Sequence, residues 1–487
     1  MGRYFGTDGI RGVVGESPLV PEFFLRLGFA VGAVVNSNDH PVRIIIGRDT
    51  RQSGQMLQTA LTSGLLAAGM DVVDVGIIPT AGVAWLLRKL GFDVGAVISA
   101  SHNPVEQNGI KFIDGDGLKF SDPLEKEIEN YLTQVGTQFQ NLPIKQPGKL
   151  TDGGSLHEIY IQGLLAEHQE LYLSGLTLVV DCSNGAASPF APEVLSRAGA
   201  RVIAVHASPD GTNINSQCGS EFVRRAPWEF GHLIKYFQAD FGMAFDGDAD
   251  RVVFVDENGR LIDGDHILGF LARYLNNQDK LLARSVVTTT MRNTGLKHYL
   301  ENLGLRVFET PVGDKYVVEK ILELRENGNA EKAFGLGGEQ AGHIDILNDL
   351  YTTGDGIRTA LFVLQAFLES GVGSMSSFAE GVGKTPQIIA SAYVGQGNRY
   401  DRDQLSDLET QILESYPGIL RSSLRYSGTE PLLRVMLESD GRQNEEDLAE
   451  IAWKICKDAQ NLASIKNGMI DLLNCTSGGV ISPKPGW

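Results

Sequence analysis

Ser101 closes an apolar run in VISASHNPVEQNGIKF (residues 97–112), with His102 beside it. A hydroxyl there is either a nucleophile or part of a polar turn, since Ser, Asn and Pro all favour turns. A hydrolase triad is disfavoured: Gly-x-Ser-x-Gly is absent, and adjacent side chains diverge. In AFDGDADRVVFVD, Asp246, Asp248 and Asp250 alternate and Arg251 follows. Carboxylates packed so densely repel one another unless a divalent cation such as Mg²⁺ sits among them. An EF-hand is excluded, because Arg251 stands where that loop needs glycine and the flanks FGMAF and VVFVD read as strands. Two other DGD stretches, at 114–116 and 263–265, lack a third aspartate and read as plain acidic turns.

Two further stretches could bind anions or sugars. RYSGTEPLLRVM sets Ser427, Gly428 and Thr429 between Arg425 and Arg434. Arginine forks match phosphate oxygens, hydroxyls donate, and glycine lets backbone N–H groups approach. No GxxxxGK[ST] occurs, so this is not a P-loop. GLGGEQAGHID surrounds Glu339, Gln340 and His343 with glycines, and all three suit sugar hydroxyls. A serine to carry phosphate, carboxylates for Mg²⁺, a phosphate cradle and a sugar loop together describe phosphoryl transfer, which needs positioning and charge neutralisation above all.

The elements that must position these loops read as alternating strands and helices. In the first block strands are predicted at 42–46, 72–77 and 94–99, and helices at 52–68 and 81–90. Such alternation predicts buried, largely parallel strands in an α/β layer. A second block starts with a strand at 176–181 and ends with one at 252–256. A third holds a strand at 286–290 and a helix at 316–326, and the last ends in a helix at 445–458. The expected division is an α/β domain with the serine loop (1–150), one with the metal loop (151–256) and one with the sugar loop (257–380). An α+β domain with the phosphate loop (381–470) and a poorly ordered Gly/Ser/Pro tail (471–487) complete it.

At 487 residues the chain is too long for one core; ~150 residues per domain suggests about three. A net charge of −18 argues against a nucleic-acid partner. No apolar run approaches the ~20 residues of a membrane span, and MGRYFGTDGIRG lacks a signal peptide's apolar core, so the expected compartment is the cytoplasm. Four scattered cysteines without a CxxC pair read as reduced, structural thiols.

The four loops, in this order, resemble the α-D-phosphohexomutase superfamily over nearly the whole chain. The opening YFGTDGIRG and the form GEQAGH look most like its phosphoglucosamine mutase branch. The resemblance implies three similar α/β domains with mixed sheets and a smaller C-terminal α+β domain around a central cleft. It implies that Ser101 is a phosphoserine and that the three aspartates ligate Mg²⁺ together with a phosphate oxygen on Ser101. Arg11 and Arg251 would partner the phosphoserine region, and His102 and Lys111 would lie in its loop, Lys111 as a candidate general base. Glu339 would contact sugar hydroxyls, with Lys315 of VGDKY a lesser contact, and the arginine loop would hold the phosphate that is not reacting. The implied reaction interconverts glucosamine 6-phosphate and glucosamine 1-phosphate through a bound bisphosphate, in a monomer or homodimer. A glucose or mannose phosphate mutase is the alternative within the superfamily. An Asp-nucleophile phosphatase would leave Ser101 without a role, and a non-catalytic sensor need not keep the serine or the aspartates. One position departs from the family: Ala341 stands where a serine is usual.

Overall fold

The computed structural model describes residues 3–6, 8–35, 41–135, 146–326, 333–395, 397–427, 431–484 and 487. Four sheets follow one another along the chain, of six, five, four and four strands. In the first, Arg43–Arg48, Asp71–Ile77 and Val94–Ile98 lie parallel at the centre. The β-branched runs of Arg43–Arg48 and Val94–Ile98 are buried because helices cover both faces. The elements expected in this block are all present, with ends shifted by one or two residues.

The sheets are mixed, and the departure from parallel pairing falls where the chemistry lies. Val94–Ile98 pairs antiparallel with Gln107–Asp114. Phe241–Phe245 pairs antiparallel with Val252–Val255, and Phe334–Gly338 with Ile344–Leu347. The fourth sheet is antiparallel throughout, with Ile419–Tyr426 beside Leu432–Ser439. Each candidate loop is therefore the connection between two adjacent antiparallel strands. A hairpin-like connection needs only a short span, so it presents its side chains at a sheet end with little backbone freedom.

One continuous apolar core runs through the first three domains, from Trp85 and Tyr160 to Phe245, Phe270 and Phe367. The fourth domain has its own, built on Ile388, Val435, Leu437 and Leu448. Between them lies a buried polar junction. Glu438 accepts from Thr294 and Thr385, Asn293 donates to Thr385 O at 2.9 Å, and Lys384 pairs with Asp263.

Three expectations about boundaries need correction. Leu150–Asp152 pairs with Asp71–Ile77, so the first domain extends past 150. Leu261–Ile262 pairs with Val252–Val255, so the second extends past 256. The segment after 470 is not a loose tail. Ile470–Asn474 is an edge strand beside Gln387–Tyr393, and Asp471 forms a bidentate pair with Arg225 at 2.5 and 2.6 Å. Its Gly and Ser neighbours form the turn that brings Val480 back onto Leu473. Among the described residues no helix is long and apolar enough to cross a membrane.

Candidate active site

Ser101 is almost fully buried and its backbone has φ 51°, a left-handed conformation that non-glycine residues rarely adopt. Such strain persists only where surrounding bonds impose it. Here Arg51, itself buried, donates to the carbonyls of Ser101 (3.0 Å), Asn103 (2.8 Å) and Pro104 (2.5 Å). Asp49 is its counter-ion at 2.9 Å and also accepts from Ser99 Oγ, whose oxygen accepts from the Ser101 N–H at 2.8 Å. From the second domain, Asn215 donates to the same Ser101 and Asn103 carbonyls. The loop is thus clamped from two sides while the Ser101 hydroxyl donates to Asp246 Oδ2 at 2.5 Å. A Cβ at Gly247 would lie 2.5 Å from Ser101 O, so the metal loop can approach this closely only with glycine there.

Asp246, Asp248 and Asp250 are buried, and one oxygen from each lies within 4.8 Å of the others. Asp248 Oδ1 and Asp250 Oδ1 have no hydrogen-bond partner among the described residues. Burial, reinforced by Asp250 and Asp248, holds Asp246 well above the usual carboxylate range. Orphaned oxygens and mutual repulsion are what a hard divalent cation would relieve, so the donor set fits Mg²⁺. Lys111 Nζ already sits against this cluster, 3.3 Å from Asp248, 3.6 Å from Asp250 and 3.5 Å from Asp8. Burial opposes its charge, but the three carboxylates prevail and hold Lys111 above its ordinary value.

His102 differs. Burial, with Arg251 and Arg11 nearby, holds it well below its ordinary value, and its Nδ1 lies 3.4 Å from Ser101 Oγ, so the two adjacent side chains meet where the sequence reading had them diverge. Arg11 is tied to Asp8 and reaches the Ala100 carbonyl at 3.5 Å. The Arg251 N–H donates to Asp246 Oδ1 at 3.1 Å, while its side chain lies 3.9 Å from Asp250 and feels Glu339.

The sugar loop is joined to the metal loop by an Arg251–His343 backbone bridge. Gly342 makes this possible: its φ is 93°, and a Cβ there would lie 2.4 Å from Val252 O. Glu339 is half-buried and accepts from the Gly313 N–H of VGDKY at 3.1 Å. Its two expected companions are both buried. Gln340 is buried with its amide nitrogen on Asp265 (2.9 Å) and Gln387 (2.8 Å), so it braces the junction of the third and fourth domains. His343 is buried 3.6 Å from Asp250, 3.6 Å from Asp345 and 3.8 Å from Asp314. Burial opposes its charge but these carboxylates outweigh it, so His343 is held well above its ordinary value and supports the metal loop. Lys315, expected on the sugar, pairs with Asp122 in the first domain. A cavity of about 380 Å³ opens there, between the first and third domains beside Lys111, Lys119 and Asp314.

In the fourth domain Arg425 and Arg434 are directly opposed across antiparallel strands. Like charges so placed repel. Burial and Arg434 together lower the Arg425 value, and Glu339 lies near enough to counter them. Arg434 in turn bears on His102. The paired guanidiniums therefore face both the sugar loop and the serine loop, where an anion would be drawn. The Ser427 N–H donates to the Leu432 carbonyl, and Gly428 and Thr429 lie outside the described residues.

Sequence reasoning missed Arg51 and Asp49, although GRDTR at a strand end displays both charges. It missed Thr80, whose hydroxyl donates to Asp248 at 2.7 Å, and Asn215. It also missed Asp8, which gathers Arg11, Lys111 and Lys119 around one carboxylate.

Comparison with known proteins gives matches in the same order. Family models of the phosphoglucomutase/phosphomannomutase alpha/beta/alpha domains I, II and III match residues 2–138, 158–259 and 263–384, and that of the C-terminal domain matches 403–454. The phosphoglucosamine mutase of Carboxydothermus hydrogenoformans is 42% identical over 467 residues, covering 93% of this chain and 98% of that protein. A phosphoglucomutase/phosphomannomutase family protein from Burkholderia thailandensis has a similar structure, with TM-score 0.72 at 23% identity, covering 92% of this chain and 96% of that one. The N-acetylphosphoglucosamine mutase of Aspergillus fumigatus, solved with GlcNAc-6P and magnesium, gives TM-score 0.61 at 18% identity and covers 94% and 96%.

Proposed function

The chain belongs to the phosphoglucosamine mutase family of phosphohexomutases, and from that premise we propose that it interconverts glucosamine 6-phosphate and glucosamine 1-phosphate through phosphorylated Ser101. The observation that carries this reading is the Ser101 hydroxyl on Asp246, within a triad of buried aspartates. A phosphoryl group on Ser101 would bring anionic oxygens against these carboxylates, an arrangement that only a cation can hold.

Asp246, Asp248 and Asp250 would hold Mg²⁺, which when bound supplies neutralisation of the charge on the transferring phosphoryl group. Arg51, Asp49 and Asn215 keep the Ser101 oxygen aimed into the cleft. A sugar hydroxyl attacks the phosphorus, the bond from phosphorus to Ser101 Oγ breaks, and a bisphosphate remains bound. After that sugar bisphosphate turns over, its other phosphate returns to Ser101. Each transfer takes a proton from the attacking hydroxyl and delivers one to the departing oxygen. Groups whose proton affinities are pushed apart suit that pair of tasks. When Ser101 Oγ is the attacking oxygen, in the return step, the neutral His102 beside it can accept its proton, and Lys111, held charged, can donate one.

Arg425 and Arg434 grip whichever phosphate is not reacting, because guanidinium forks read phosphate and ignore the sugar's orientation. Glu339 accepts from ring hydroxyls, while Ala341 offers its neighbour no hydroxyl. Four free, buried cysteines and a phosphorylated substrate suit the cytoplasm. One preparation assayed on glucosamine, glucose and mannose phosphates tests the reading. Glucosamine phosphate should be fastest; faster turnover of either other sugar overturns the substrate assignment.

A further inference from the structure

A second group of metal-binding side chains lies outside the catalytic triad, at the same end of the second sheet. Asp181 ends the strand Thr177–Asp181 and is paired with Ala244, just before the metal loop. His206 follows the neighbouring strand Arg201–Val205, and Cys218 precedes the helix Gly219–Arg225. One ligand atom from each of Asp181, His206 and Cys218 lies within 4.8 Å of the others. We infer that these three residues form a distinct site for a thiolate-seeking divalent ion of the zinc type.

The donor set argues for that class of ion. Carboxylate, imidazole and thiolate are the ligands zinc takes in tetrahedral sites, with a water completing the shell where the protein supplies three. Magnesium, a hard ion, favours the all-oxygen triad instead, so the two sites would select different metals. The local frame is built to hold the ligands. Asp181 is almost fully buried; its Oδ1 accepts from the Ser183 N–H at 2.8 Å, and its Oδ2, which accepts from the Gly219 N–H at 3.1 Å, faces His206 Nδ1 at 2.9 Å. Such outer bonds orient metal ligands. Ser183 and His206 hold left-handed φ values of 52° and 45°, so the loops that aim these side chains are strained into place. Cys218 is buried, whereas the His206 side chain is 38% exposed, leaving a route for the ion and a position for water. Cys182, next to Asp181, packs in the main apolar core.

The same loops hold the serine loop. The Asn215 N–H donates to the Ser183 carbonyl, and its side-chain amide donates to Ser101 O. Thr50 in turn donates to Asn184 O at 2.5 Å. An ion on Asp181, His206 and Cys218 would tie together the segments that brace Ser101, so its role is structural.

Cobalt(II) is the probe, because its bond to a thiolate gives a near-ultraviolet charge-transfer band that oxygen ligands do not give. The full-length protein, stripped of metal and kept reduced without added thiols, is titrated with Co²⁺. A thiolate band that saturates at one ion per chain and is displaced by Zn²⁺ but not by excess Mg²⁺ is expected. Cys218→Ser should abolish the band, His206→Asn should weaken Co²⁺ binding by at least about tenfold, and Asp248→Asn should leave the band intact. Absence of a band in the folded wild type, or a band that survives Cys218→Ser, overturns the site and leaves only a His–Asp ion pair beside a buried thiol. His206→Asn, on a partly exposed side chain, keeps the test open should Cys218→Ser not fold.

Discussion

The Ser101 hydroxyl and the Asp246 carboxylate meet at 2.5 Å across the boundary between the first and second domains. Neither domain holds the site by itself: one brings the serine proposed to carry phosphate, the other the three buried aspartates.

The metal triad is tested by removing one carboxylate. Asp248 takes bonds from Thr80 and Lys111 and has one orphaned oxygen. Asp248→Asn should cut turnover by roughly 100-fold or more, the scale seen when one preorganised electrostatic group is lost. In the wild type, EDTA should abolish activity and Mg²⁺ restore it. Activity indifferent to chelation would remove the metal from the account.

Arg51 touches no substrate and acts through the serine loop. Arg51→Met leaves Asp49 buried and uncompensated, which should destabilise the fold by about 3–5 kcal/mol. Asp49→Asn with Arg51→Met should recover much of that stability but not the activity, since the Ser101, Asn103 and Pro104 carbonyls stay unheld. Recovery of both together would mean that the clamp serves folding alone.

Much of this site is legible in the sequence, and the limit has a physical cause. Ser101 and the three aspartates declare themselves because their chemistry is local: like-charged neighbours demand a cation wherever the loop lies. Arg51, Thr80 and Asn215 act on backbone carbonyls or on another domain's side chain, contacts that no spacing encodes. Gln340, read as a sugar contact, packs at the junction of the third and fourth domains, because composition shows that a turn is polar but not which of its side chains face inward. The edge strand Ile470–Asn474 was hidden for a related reason. Its partner, Gln387–Tyr393, lies far away in the chain, and its flanks are those of a loop.

The opposed Arg425 and Arg434 should make the ligand-free protein sensitive to anions. Inorganic phosphate should raise the wild-type Tm, and Arg425→Ala should erase that rise. A charged hydrogen bond is worth about 1.5–3 kcal/mol, so KM for the sugar phosphate should rise roughly 10- to 100-fold, with kcat less affected. An unchanged KM would place the phosphate elsewhere.

His168 supplies a pH dependence away from the metal. Burial holds it below its ordinary value, its Nδ1 bonds Gln365 at 2.7 Å, and its buried Nε2 has no partner among the described residues. A second proton would therefore put an unsatisfied charge inside the protein. The folded-state value lies below the unfolded one near 6.5. The stability from neutral His168 is therefore complete above that pH and lost as the pH falls towards the folded value. Denaturant unfolding should show a slope of up to about 1.4 kcal/mol per pH unit from this group. His168→Gln should flatten it; an unaltered slope would assign the dependence to other groups.

Whether phosphate resides on Ser101 decides the account. The dephosphorylated enzyme is incubated with glucosamine 1,6-bisphosphate, and peptide mass mapping locates any phosphoryl group gained. One group on the peptide carrying Ser101, lost on addition of monophosphate substrate and absent in a folded, inactive Ser101→Ala variant, is the predicted result. Full turnover by Ser101→Ala, or phosphate found on an aspartate of the triad instead, would contradict it.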